Sequence, residues 1–389
     1  MEFSLSNVFA VVIPFEALLF TYYILSLNVE RRISNLFIAL FIFVFGLENF
    51  MPILYENVFT SYPQYALILD TLFFLQLPLI YLYIKSASFK DFRIRRVDAL
   101  HLIPLVIVNI LIIFSYHILP LETKRLILMD GMRDLQMEMY AVFSLFGLQM
   151  IIYFILSFQE IKRYRQIVNE NYSDIGKYNY KWIRQLLYAF VFLLVVTVIK
   201  NFTWSFFNET MHEILDLVLK LLVLVFITWI IYKALKRPYL FSGVNSQIKL
   251  IKELIKEQEI IDKASSTNQL SIQDKALQQK LDHFMSEEKP YLDPALTLHD
   301  LAKQLDVPSR ELSILINEYY KQHYFDFINS YRIDQAIKIL LDPSNNKLTV
   351  LEIMFDVGFN SKSSFNTAFK KYTNLTPTAY KAKHSLSAA

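Results

Sequence analysis

The chain has 389 residues, enough for more than one domain, and is 54% hydrophobic. It contains no Cys, which excludes disulfides, thiolate metal sites and a cysteine nucleophile. A net charge of +3 is too small to name a partner by itself. In chain order, seven apolar runs of bilayer length come first, near 8–27, 35–54, 66–84, 100–119, 140–158, 186–207 and 213–232. A large soluble bundle would show a polar face on its surface helices. Stretches such as Ile103–Phe114 and Leu186–Ile199 have almost none, so residues 1–240 are expected to form a transmembrane domain. The first run is not expected to be a cleaved leader, because Glu2 and no Lys or Arg precedes it.

Lys and Arg in the loops set the expected orientation. With the N-terminus outside, the inner loops carry 16 basic residues, among them Arg31, Arg32, Lys85, Arg95, Lys162 and Arg184. The outer loops carry three: Lys124, Arg125 and Arg133. This bias puts the C-terminal region in the cytoplasm. Prolines Pro14, Pro78 and Pro104 fall inside spans and are expected to kink them. Tyr and Trp near span ends (Tyr22, Tyr81, Trp182, Trp204) read as interface anchors.

Ionisable residues inside spans are costly and are candidates for function. Here they are Glu16, Glu48, Asp70, Lys200, Asp216 and Lys220. Five fall in the outer halves of their spans and Glu16 near the middle. Two readings stand side by side: a ligand pocket open to the outside, or an ion-pair network that fixes helix packing. Asp216 and Lys220 are four apart and can pair. No metal-ligand spacing occurs and no cofactor is implied.

Residues 241–290 read as a connector. Ile248, Ile251, Leu254, Ile255 and Ile261 form one stripe of an amphipathic helix over 247–263, suited first to pairing with its twin in a homodimer, and otherwise to lying on the membrane surface or packing on the C-terminal domain. Ser271 with Asp274 can cap a second helix that runs to about Glu287.

Residues 291–389 hold two helix–turn–helix patterns joined by a long helix: Leu296–Tyr320 and Leu348–Tyr372. Two helices at a steep angle need a small residue at their contact and a turn residue that tolerates the left-handed region. Ala302 and Asp306 serve the first pattern and Gly358 the turn of the second. Leu298, Leu301, Leu305, Val307, Leu312 and Leu315 form the first core; Ile353, Val357, Phe359, Phe365 and Phe369 form the second.

GFNSKSSF followed by FKKYTNLTPTAYK, with FINSYRIDQAIKILL on the linking helix, resembles the AraC/XylS family of bacterial transcription regulators. The resemblance covers roughly the last hundred residues. It implies an all-α domain whose two recognition helices enter successive major grooves of double-stranded DNA. Four positions depart from the family pattern. Met354 stands where Ala is usual, Asn374 where Gly is usual, and Ile314 and Thr367 where some members carry a groove-reading Arg.

The buried faces define the outward ones. On the first recognition helix Ser309, Arg310, Ser313 and Asn317 are expected to face out; on the second, Lys362, Ser363, Asn366 and Thr367. Arg310 suits guanine, Asn366 suits adenine, and Lys362 suits guanine or phosphate. The resemblance points to the same positions. From Leu292 to Asp356 there are six Lys and Arg against ten Asp and Glu, whereas from Val357 onward there are five Lys and no acid. Phosphate attraction should therefore come mostly from the second half.

The expected fold class is all-α: a seven-helix transmembrane bundle followed by a cytoplasmic tandem helix–turn–helix domain. The expected function is a membrane-embedded one-component transcription regulator. Its partners are DNA, the lipid bilayer, a second copy of itself, and a small-molecule or membrane-protein signal. The alternative is a transporter with a regulatory DNA-binding tail. Neither Gly-x-Ser-x-Gly nor His-Glu-x-x-His occurs, and the chain is not expected to be an enzyme.

Overall fold

The computed structural model describes residues 5–26, 32–89, 92–130, 133–173, 180–206, 209–236, 270–345 and 347–385. The amphipathic stretch 247–263 and the side chains of Ser271 and Asp274 lie outside the described residues. Among the described residues there is no strand, and regular structure is helical. The chain divides into two units: Met1–Lys162 with Asn179–Gly243, and Arg163–Tyr178 with Val244–Ala389.

The first unit is built from α1 (Leu5–Ser26), α2 (Arg32–Leu54), α3 (Gln76–Ser88), α4 (Ile103–Ile112), α5 (Leu121–Met129), most of α6 (Gln136–Asn171), α7 (Tyr180–Phe206) and α8 (Glu209–Lys236). Among the described residues, seven helical segments are long and apolar enough to cross a membrane. Their outward faces are apolar as well: Val106, Ile107, Ile110 and Phe114 are each about half exposed or more. Helix α1 packs on α2 and α8, α2 on α3, and α7 on α8. At Gly46 a Cβ would come within 2.4 Å of Ala17 Cβ, so the small pair lets α1 and α2 approach closely.

The third apolar run is not one helix. Leu67 takes a left-handed conformation (φ 65°), a 3-10 stretch covers Asp70–Leu75, and the α-helix begins only at Gln76. Pro78 and Pro104 sit in the first turns of α3 and α4, each directly after a 3-10 stretch. Pro14 lies inside α1, and Pro52 lies inside α2.

The second unit contains α9 (Leu270–Glu287), α10 (Leu298–Gln304), α11 (Ser309–Glu318), α12 (Tyr324–Leu341), α13 (Val350–Asp356), α14 (Lys362–Thr373) and α15 (Pro377–Ser385). Its interior is two cores. The first gathers Leu281 and Met285 of α9 with Leu301, Leu305, Leu312, Leu315 and Ile316. The second gathers Ile353, Met354, Val357, Phe359, Phe365 and Phe369. Helix α12 belongs to both. Tyr324, Phe327 and Ile328 enter the first core; Ile333, Ala336 and Leu340 enter the second. At a rise of 1.5 Å per residue this helix is about 27 Å long, so it spaces the two halves rigidly.

Candidate nucleic-acid interface

Each half is built by the same local chemistry. Thr297 caps α10 by accepting from Asp300 N, and the Asp300 carboxylate accepts in return from Thr297 N at 3.2 Å. Thr349 and Glu352 repeat this at α13, with Thr349 N donating to Glu352 at 2.7 Å. Both boxes satisfy backbone donors that a helix start leaves open. Asp306 (φ 54°) makes the first turn and Gly358 (φ 87°) the second. Recognition helix α11 then starts after Pro308, and α14 after Ser361, whose hydroxyl accepts from Ser364 N at 3.1 Å. Asn374 (φ 59°) ends α14 in the left-handed conformation that Asn tolerates.

On α14, Lys362, Ser363 and Thr367 are exposed and Asn366 is half-buried. Thr367 Oγ1 donates to Ser363 O at 2.8 Å, a local bond along the helix. On α11, Ser309, Arg310 and Asn317 are half-buried. Ser313 corrects the expectation of an outward face, being only 4% exposed. At about 100° per residue it stands beside Ile316, inside the buried arc. Asn317 Nδ2 donates to Ser313 O at 3.0 Å, along the helix rather than across it.

A model of the family described as "Helix-turn-helix domain" matches residues 301–383. These residues form an AraC-type helix–turn–helix domain. Two curated relatives carry the same kind of name. One is the uncharacterised HTH-type transcriptional regulator YdeC of Bacillus subtilis (strain 168), 27% identical over 172 residues, covering 38% of this chain and 58% of that protein. The other is an uncharacterised HTH-type transcriptional regulator in the cgkA 5′ region of Pseudoalteromonas carrageenovora, 46% identical over 54 residues. That stretch covers 14% of this chain and 30% of the relative, so the chain spans less than two thirds of either relative. No solved structure matches.

The AraC-type domain is organised around a residue that sequence reasoning passed over. Arg332, on α12 between the two cores, is 1% exposed. Its Nε donates to Tyr291 O at 2.7 Å and its Nη2 to Asp293 O at 2.8 Å. It also reaches Ser173, through Nη2 to Oγ at 3.1 Å and Nη1 to the carbonyl at 3.3 Å. The guanidinium lies 5.5 Å from the Phe359 ring centroid, in the second core. A buried guanidinium must spend its donors on acceptors, and here four are backbone and hydroxyl oxygens of two segments, Tyr291–Asp293 and Ser173. The signal was present: Ile328, Arg332, Ala336 and Leu340 are four apart, so Arg332 lies on the buried stripe.

The Ser173 segment belongs to this same unit. Ser173 is buried and its hydroxyl donates to Leu296 O at 2.7 Å, while Tyr172 forms an isolated antiparallel bridge with Thr297. The residues that follow α6 thus touch the cap of α10. Elsewhere in the unit, Tyr320 and Tyr331 donate to Asp282 of α9 at 2.6 and 3.5 Å. Burial and then the Asp282 carboxylate push the Tyr331 hydroxyl up to about 12, so it remains a donor at neutral pH. Asp326, near the start of α12, holds α14: its carboxylate accepts from Lys371 Nζ and its carbonyl from the Tyr372 hydroxyl, both at 2.6 Å. This ties the second recognition helix to the spacer.

In the first unit, the six ionisable residues of the spans do not form one group. Asp216 accepts from Lys200 at 3.2 Å and from Lys220 at 2.7 Å, with Ser6 also donating to it at 3.3 Å. Glu16 accepts from Thr228 at 2.7 Å. Glu48 and Asp70 line a separate cavity. The first set pairs one carboxylate with two ammoniums, and the last pair has no cation within salt-bridge distance.

Proposed function

We propose that this chain is a membrane-embedded one-component transcription regulator. The observation that carries the proposal is the exposed polar face of α14 (Lys362, Ser363, Thr367) on a capped, rigidly spaced helix of an AraC-type domain. Together with Arg310 and Asn317 of α11 and with Asn366, this face reads base edges in two successive major grooves. Residues 1–240 are the membrane part, with the N-terminus outside and residues 291–389 in the cytoplasm. The apolar outward faces of the seven helices support this, because water does not tolerate such continuous patches. Residues 241–290 connect the two, and a homodimer supplies paired half-sites. A net negative first half binds DNA weakly alone, so the dimer is the working form.

Control runs through the docked segment after α6. A signal that changes helix packing in the membrane part shifts how Tyr172 and Ser173 sit against Thr297, Leu296 and Arg332. That biases the first recognition helix, as population shift requires only that the signal prefer one packing.

The test uses the full chain in lipid nanodiscs, mixed with sheared genomic DNA at moderate salt, followed by sequencing of what is retained. An enriched site with two elements about ten base pairs apart is expected. Arg310→Ala should relax one element and Asn366→Ala the other. Uniform retention with no enriched site refutes the proposal.

A further inference from the structure

The first unit contains an apolar cavity of about 280 Å³. Helix α2, the irregular turn before α3, α4 and the first turns of α6 enclose it. This is close to the small end of ligand pockets, which begin at roughly 300 Å³. The polar side chains on its wall are Glu48, Tyr55, Asp70 and Thr71. The Glu48 carboxylate accepts from Gln76 Nε2, and the Asp70 carboxylate from the Tyr55 hydroxyl. Thr71 is occupied by Ile68 O at 3.0 Å and Asn109 Nδ2 at 3.1 Å.

Both carboxyls therefore meet only neutral donors. Among the described residues no Lys, Arg or His lies within 4.0 Å of either. Lys200, whose charge Glu48 also feels, is held on Asp216 at 3.2 Å. Two carboxyls beside one apolar void, with no cation in contact, are costly in their ionised form unless something compensates them. The left-handed Leu67 and the 3-10 turn at Asp70–Leu75 are what bring the second carboxyl to this wall. A regular helix over 66–84 would carry Asp70 in a different direction, so the break in the third span builds the site.

We propose that this cavity binds a small lipophilic amine. The ammonium, with three donors and no acceptor, sits at Glu48 and Asp70. The apolar body lies among Leu47, Met51, Val108 and Ile112. An anion of the same shape is repelled, and a neutral isostere leaves the carboxyls uncompensated. Binding itself needs no DNA; only its effect on transcription rests on the regulator reading above.

The experiment is equilibrium binding of tritiated 2-phenylethylamine to the full chain in nanodiscs of neutral lipid, without DNA. Empty nanodiscs correct for partitioning. A saturable component is expected, displaced by unlabelled 2-phenylethylamine and not by 2-phenylethanol or 3-phenylpropionate. Glu48→Gln and Asp70→Asn, which keep shape and remove charge, should each weaken it about tenfold or more. If either fails to fold, Met51→Phe, which fills the void and leaves both carboxyls, should abolish it. Three results overturn the proposal: no saturable component, equal displacement by the alcohol with unchanged binding in the charge variants, or full competition by sodium ions in place of the amine. None of these touches the DNA selection, so the two proposals fail separately.

Discussion

The two helix–turn–helix halves share a capping box, a left-handed turn and a recognition helix, yet they use different turn residues. Asp306 in the first half occupies φ 54°, a conformation Asp reaches at modest cost. Gly358 in the second half occupies φ 87°, and a Cβ there would lie 2.7 Å from the carbonyl oxygens of both Tyr291 and Leu292. The motif repeats local geometry, but the neighbours decide the residue. The second turn packs against the backbone ahead of the first half, so only Gly fits. The same backbone turn carries the carbonyl that Arg332 holds.

The strongest way to break this comparison is Arg332→Ala. It strands acceptors at Tyr291, Asp293 and Ser173 in a buried place, and each unmet group costs about 1–3 kcal/mol. A loss of at least about 3 kcal/mol is expected, read as denaturant-dependent proteolysis of the C-terminal unit in the full chain. Both DNA elements should be lost together, because the residue serves both cores.

Next comes the pair of turn exchanges. Gly358→Ala adds a left-handed penalty of about 1–2 kcal/mol to a direct overlap with two carbonyls. Asp306→Gly should change stability by less than about 1 kcal/mol. The same unfolding measurement compares them, and equal effects would remove the asymmetry argued above.

A smaller effect sharpens which half receives the signal. The chain has no Cys, so Tyr172→Cys with Thr297→Cys introduces a single possible disulfide at an antiparallel bridge, where Cα separations suit it. Oxidation should change affinity for the first DNA element about fivefold or more and leave the second element unchanged. Gel retardation with half-site probes, before and after reduction, reads this. An equal change at both elements would place the control elsewhere.

The smallest effect is in pH. Bonds from the Thr349 backbone and hydroxyl hold the Glu352 carboxyl below the usual carboxylate range. A depressed folded value means its contribution is present at neutral pH and disappears as pH falls through that range toward the lowered value. Glu352→Gln should therefore flatten the acid side of the stability profile slightly, with no change above about pH 6.

Much of this was legible from residues alone. Apolar runs of bilayer length, the tandem motif, Asp306, Gly358 and Asn374 as turn or cap residues, and the apolar cores all follow from periodicity and backbone tolerance. Those signals are local, each set within a few residues. The Asp216–Lys220 pair follows from its spacing of four, and Ser313 shares an arc with Ile316, so its burial was open to helix periodicity. Two features were not legible, and each depends on residues far apart in sequence. The other charges of the spans separate into a Lys200–Asp216 pair, a Glu16–Thr228 pair and a cavity wall because helix packing, not depth, chooses partners. Arg332 joins segments more than 150 residues apart, from Ser173 to Phe359. Local residue patterns set the order of the helices and the DNA-binding class, but not the break inside the third apolar run. Which polar groups meet was a matter of packing, since burial leaves a donor no choice but the acceptors brought to it.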